Sequence, residues 1–208
     1  MDHQPEQLDR NPAFSLVELL LTIAIVSIVL AFSTGVSIQS ISAYRLTSVA
    51  GKLESDLTYA MQLASKLNHP VEMRFYRYTG TDDLESRQFA SYQFLIRRSR
   101  ETRYEQLSRV YQMETGVTIH SSTTFSTILN QEILEPGEND PEIALSGDKS
   151  KEFNYVSFQI RPDGTTSLRK DIIWTLTIVA EQDAESEQLP RNYRTLVINP
   201  VNGAVAMY

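Results

Sequence analysis

Apolar and polar positions along this chain fall into three regimes. From Phe14 to Phe32 the sequence FSLVELLLTIAIVSIVLAF is apolar, with Glu18 as its one charge. At 1.5 Å per residue a helix of that length spans roughly 28 Å, close to the hydrocarbon thickness of a bilayer, so the stretch predicts a transmembrane helix. No proline interrupts the residues that follow, where Gly35 is a mild breaker that marks a bend or weak point near the membrane surface. Leu46, Val49, Leu53, Leu57, Ala60, Ala64 and Leu67 then recur at steps of three and four. That stripe is one face of an amphipathic helix; Lys52, Glu54, Ser55, Gln62 and Lys66 form the other. The pattern predicts a single helix, apolar all round at first and one-sided afterwards, ended by Asn68-His69-Pro70.

Beyond Pro70 the period shortens to two. Val71 to Tyr76 alternates as a half-buried strand does, with Val71, Met73 and Phe75 facing the helix. Thr79 to Arg87 reads as a polar turn and Phe89 to Arg97 as the returning strand. Further strands are expected at Tyr104–Met113, Gly116–His120, Tyr155–Ile160, Thr165–Leu168, Trp174–Ala180 and Tyr193–Ile198, with Ala204–Tyr208 closing the last hairpin. Turns fall at Arg161-Pro162-Asp163-Gly164 and at Asn199-Pro200-Val201-Asn202-Gly203, where Gly203 supplies a positive φ. Between Ser126 and Lys151 the alternation fails, which predicts a long loop with one helical turn near Ile128. A long helix followed by strands alone predicts an α+β fold with the helix packed on an antiparallel sheet.

Charge and composition narrow the function. The 208 residues carry 19 Lys and Arg against 26 Asp and Glu, a net charge of −7, and this acidic balance argues against a nucleic-acid partner. There is no cysteine, which excludes a disulfide framework, an iron–sulfur cluster and a thiol nucleophile. No HExxH, GxxxxGK, GxSxG or GxGxxG motif occurs, so the common signatures of metalloproteases, phosphate-binding loops, serine hydrolases and dinucleotide enzymes are missing. His3, His69 and His120 stand apart from one another and read as structural or solvated. Tyr76, Tyr78, Phe89, Tyr92 and Phe94 read as core and hairpin packing. Glu138, Asn139, Asp140, Glu142 and Asp148 place hard oxygen ligands in the 136–151 stretch, but their spacing fits no EF-hand, and a solvated acidic loop is the reading adopted. No metal, cofactor or enzymatic activity is expected.

Glu18 is then the residue that asks for an explanation. A carboxylate in a membrane helix costs on the order of 2.5–3.5 kcal/mol on insertion scales. Either it sits one turn inside the helix, where the positive end of the helix dipole stabilises it, or it has a functional partner. An ordinary secretory signal would need a basic front end and a shorter apolar core than this chain shows.

The context Ala13-Phe14-Ser15-Leu16-Val17-Glu18 resembles the class III signal of type IV prepilins and pseudopilins. The resemblance implies a leader of residues 1–13, cleaved by a prepilin peptidase between Ala13 and Phe14, with methylation of Phe14. It also implies that Glu18 pairs with the Phe14 amine of a neighbouring subunit when helices bundle into a filament. The leader holds three acids against Arg10 alone, so its charge does not orient the chain. Orientation follows from the resemblance: leader in the cytoplasm, anchor in the bacterial inner membrane lipid, body in the periplasm or on the cell surface. Further along, the LTYAMQLA run before NHPV, the strand and turn from Phe158 to Gly164, and Val197 to Val205 resemble GspH/FimT-type minor pseudopilins. VEMRFYRY, FQIRPDGTTSL and NYRTLVINPVNGAVAMY resemble the Verru_Chthon cassette protein D family. The implied organisation is a leader (1–13), a transmembrane half-helix (14–35), an amphipathic half-helix (36–69) and a β-rich pilin body (70–208). The expected function is that of a non-enzymatic subunit of a type IV pilus-like or type II secretion-like filament, with other pilin-like subunits as partners. A membrane-tethered periplasmic binding domain or enzyme with a simple anchor is the alternative.

Overall fold

The computed structural model describes residues 15–79, 89–97, 104–130 and 152–208. Helix α1 runs from Leu16 to Leu67, and its helical backbone is continuous through Gly35. Its side chains are described at 16–30 and 42–67. Residues 1–41 and 42–208 form separate compact units. The helix ends where Asn68 adopts a left-handed conformation, φ 52°. The Asn68 N–H then donates to the Ser65 carbonyl and the His69 N–H to the Ala64 carbonyl, both at 3.3 Å. This Schellman arrangement satisfies carbonyls that the last turn would otherwise leave unpaired, with Asn in the place Gly usually takes.

The strands are β1 (Val71–Thr79), β2 (Ser91–Arg97), β3 (Tyr104–Gln106), β4 (Tyr111–Gln112), β5 (Val117–Ile119), β6 (Glu152–Ile160), β7 (Trp174–Ala180), β8 (Arg194–Ile198) and β9 (Val205–Met207). They make two antiparallel sheets. The first has the order β3-β2-β1-β6, with β4 also on β2; the second has the order β5-β7-β8-β9. The α+β architecture expected from the sequence is what the chain forms, and the helix serves a body of two sheets. The β1–β2 hairpin pairs Val71 with Ile96 through Tyr76 with Ser91. The expected Tyr104–Met113 strand is two short pieces along the same edge of β2, because Leu107–Val110 stand opposite only Gln93 and Phe94 and bulge out of the ladder between them. Thr165–Leu168 makes a single bridge, Ile160 to Thr166, since Thr166 instead donates from its N–H and hydroxyl to the Pro200 carbonyl. The turn near Ile128 is a 3-10 turn, Thr127–Leu129, and the 131–150 stretch lies outside the described residues.

One hydrophobic core joins the 42–67 half of α1 to both sheets. Leu46, Val49, Leu53, Leu57, Ala60 and Ala64 are buried as their spacing predicts, and Ala50 joins them. Leu67 does not: it is 37 % exposed, because the helix has reached its last residue and the chain leaves the core at the cap. β1 departs from expectation as well, since its polar face is also covered. Glu72, Arg74 and Tyr76 are buried, with Arg74 paired to Glu72 and its guanidinium 4.2 Å from the Tyr104 ring and 4.0 Å from the Tyr155 ring. An ion pair between aromatic faces lets this charge stay inside, where an isolated one would be strongly unfavourable.

The two Pro/Gly turns come together. Gly164 and Gly203 both take positive φ, 84° and 68°. A Cβ on Gly203 would stand 2.9 Å from the Gly164 carbonyl oxygen and 3.2 Å from the Met61 sulfur of α1. A turn of the first sheet, a turn of the second and the helix therefore meet where only glycine fits.

Candidate functional site

Of the residues singled out by the sequence, Ala13 and Phe14 lie outside the described residues, and Glu18 stands in the first turn of α1. Its surroundings are built from Ser15, which precedes the helix. The Ser15 carbonyl accepts the first helical bond, from the Leu19 N–H at 3.2 Å. The Ser15 Oγ accepts from the Glu18 N–H at 3.2 Å, while the Ser15 N–H donates to Glu18 Oε2 at 3.3 Å. The Ser15 hydroxyl also reaches that oxygen, at 3.4 Å. Reciprocal bonding of this kind is a capping box, and it satisfies two amide donors that a helix start leaves open. The signal was present as S-x-x-E, but the dipole and intersubunit readings of Glu18 did not use it.

The capping box holds the carboxylate at the N-terminal end of the helix and turned back toward residue 15. It uses only the amide and hydroxyl of Ser15, so a cut before Phe14 would leave it intact. One turn on, Thr22 donates its hydroxyl to the carbonyls of Glu18 and Leu19, at 3.0 and 2.8 Å, which removes its need for an outside partner.

The large apolar side chains from Leu16 to Leu30 are all 53–74 % exposed, and they occupy every side of the helix. An apolar surface of this kind is unstable in water and is satisfied by lipid tails or by other apolar helices. Among the described residues no helix is long and apolar enough to cross a membrane; the described side chains of this run stop at Leu30, short of its end at Phe32.

The other candidate chemistry lies apart from this end of the chain. His69 follows the helix cap. His120 is buried at the end of β5, a placement that its isolated position in the sequence did not signal. His3 and the 136–151 acids lie outside the described residues. Among the described residues no three His, Cys, Asp or Glu side chains converge as metal ligands would.

Residues 9–34 match the family model described as the prokaryotic N-terminal methylation motif. No curated protein and no solved structure matches the chain. The chain thus carries the signal of a type IV pilin-like precursor, and the matched stretch covers the proposed cut, Ser15, Glu18 and the apolar run.

Proposed function

We propose that this protein is a pilin-like structural subunit of the minor pseudopilin kind, made as a precursor and assembled through α1 into a type IV pilus-like or type II secretion-like filament. The observation that carries this reading is the methylation motif at residues 9–34, which runs onto α1, where the large apolar side chains from Leu16 to Leu30 are exposed. Prepilin peptidase removes residues 1–13 and methylates Phe14. The mature subunit rests in the inner membrane with residues 14–35 in lipid and its body in the periplasm, and assembly moves the helix from lipid into a bundle of like helices. Glu18 neutralises the Phe14 amine of an adjoining subunit there, and in that dry bundle both charges need a partner. A role of this kind requires no catalytic centre. The GspH/FimT-type assignment is supported by the helix-to-strand step at Asn68–Val71 and by the contact between the two late Pro/Gly turns.

Mass spectrometry of the membrane-extracted protein, expressed with an active prepilin peptidase, tests the reading. Loss of residues 1–13 and one added methyl group on Phe14 are expected. An intact Met1 terminus, or a cut after Phe32, overturns it.

A further inference from the structure

His120 is fully buried at the end of β5, and its ring is fixed by three contacts from two segments. Its Nδ1 lies 3.1 Å from the backbone nitrogen of Ser122. An amide N–H can only donate, so Nδ1 must be the unprotonated nitrogen and Nε2 carries the proton. Nε2 lies 3.4 Å from the Ser186 Oγ. The Ser186 hydroxyl in turn is within donating distance of the carbonyls of Asp183, 2.9 Å, and Gln188, 2.8 Å, which leaves an oxygen lone pair for the imidazole N–H. The Phe125 ring stands edge-on to the imidazole at 4.9 Å and closes the third side.

This chain of bonds ties the 183–188 segment to the end of β5. Its Glu181 end is held separately, by the Glu181 N–H on the Gly116 carbonyl and by the Gly116 N–H on the Glu181 carboxylate. The Ser121 N–H and hydroxyl both donate to the Ala184 carbonyl beside it. The part that depends on His120 is therefore the far side of the segment, Ser186 to Gln188.

We propose that His120 is a pH-operated latch: neutral, it holds the Ser186–Gln188 side of the segment against the body, and protonated, it lets that side go. A second proton has only Nδ1 to occupy, and there it would point at the Ser122 N–H. Two donors face each other, so the ring must turn or the 120–122 backbone must move. Asp183 is the charged group whose field acts on the ring; β7 contributes the Thr177 carbonyl, which accepts the His120 backbone N–H, and the 123–125 turn contributes Phe125. A ring turned away from the Ser122 N–H also gives up its bond to the Ser186 Oγ. Burial holds the His120 pKa below the ordinary histidine value, against the smaller upward pull of Ser186 and Asp183. The latch accordingly stays closed at neutral pH and opens only as pH falls below the ordinary histidine range. What it releases is an acidic strip, with Glu185 and Glu187 both exposed.

The full chain in detergent micelles allows a direct test by nuclear magnetic resonance. With its ring nitrogens labelled, His120 should appear as the Nε2–H tautomer at neutral pH and titrate below the ordinary histidine value. The amides of Ser122 and Ser186 should shift in step with it. In parallel, cleavage after Glu185 and Glu187 by a glutamate-specific protease should accelerate about tenfold between about pH 7.5 and about pH 5, relative to a reference peptide. His120→Asn should abolish that pH dependence. A His120 that titrates at the ordinary histidine value while the Ser122 and Ser186 amides stay still overturns the proposal, as does pH-independent cleavage in the parent chain. The resonance measurement uses the parent chain alone, so it decides the matter even if His120→Asn does not fold.

Discussion

Residues 16–30 and 42–67 belong to one helix and treat their apolar side chains in opposite ways. In the first stretch every large apolar side chain is more than half exposed; in the second, Leu46, Leu53, Leu57, Ala60 and Ala64 are at most 2 % exposed. The contrast follows from patterning. A one-sided stripe finds its complement within the chain, in the two sheets that share its core. An all-round apolar surface cannot do so, because covering every side takes more partners than one small body supplies. The stability of the body should therefore be self-contained, whereas the 16–30 stretch acquires its environment from lipid or from other subunits.

The sharpest way to break this comparison is to place one charge in each stretch. Leu57→Asp buries an unpaired carboxylate and a cavity, and should lower body stability by about 3 kcal/mol or more in denaturant melts. Leu20→Asp should leave that melt unchanged while reducing membrane retention, in keeping with an insertion cost of about 3 kcal/mol. Equal effects of the two changes on the melt would show that the stretches are not independent.

A somewhat smaller effect is expected where the helix meets the paired turns. Gly203→Ala forces a side chain into left-handed backbone, against the Gly164 carbonyl and Met61, and should cost about 1–3 kcal/mol. Gly51 provides the contrast within α1. A Cβ there meets nothing within 4 Å, so Gly51→Ala should stabilise the body by about 0.5–1 kcal/mol through helix propensity. Thermal melts of the two variants moving in the same direction would remove the close-approach argument.

His120 adds a pH dependence that only the body should show. Its folded pKa lies below its unfolded one, so the unfolded chain takes up the proton first. The stabilisation from keeping it neutral is fully present above the unfolded value of about 6.5 and is lost as pH falls from there toward the folded pKa, by at most about 1.4 kcal/mol per pH unit. Denaturant midpoints between about pH 7.5 and about pH 5 should fall for the parent and fall less for His120→Asn. A parent midpoint that rises on acidification would contradict the sign.

Periodicity made the helix, its buried stripe, its end and most strand positions readable in advance, because each depends on local spacing. Tertiary pairing was less legible. The split of 104–113 into β3 and β4 depends on both pieces returning to β2, and no local pattern encodes that. The burial of Glu72 and Arg74 was invisible for a similar reason. Alternation marked them as the solvent face, and residues far along the chain, Tyr104 and Tyr155 among them, make that face an interior one. At the candidate site the sequence pointed to Glu18 through its charge in an apolar run, yet its partner among the described residues, Ser15, is a local feature that S-x-x-E could have revealed.

The smallest effect on the body, and the most informative at the site, should come from Ser15 and Glu18 themselves. Neither belongs to the 42–208 unit, so Glu18→Leu and Ser15→Ala should both leave the body's melt unchanged. At the helix start they differ. Ser15→Ala removes the cap and should cost the first turn about 0.5–2 kcal/mol of local stability, while the carboxylate remains. Glu18→Leu removes the carboxylate, and makes the run more apolar, so the variant should insert at least as well as the parent. If Glu18 pairs with the Phe14 amine of a neighbour, recovery in sheared filaments should fall strongly for Glu18→Leu and modestly for Ser15→Ala. The membrane-bound pool should be the same for both. If Glu18 serves only to cap its own helix, the two variants should assemble equally well or equally badly, because each opens the same box. Equal recovery would therefore retire the intersubunit pair and leave the Ser15–Glu18 contact as the whole explanation for a charge in the apolar run.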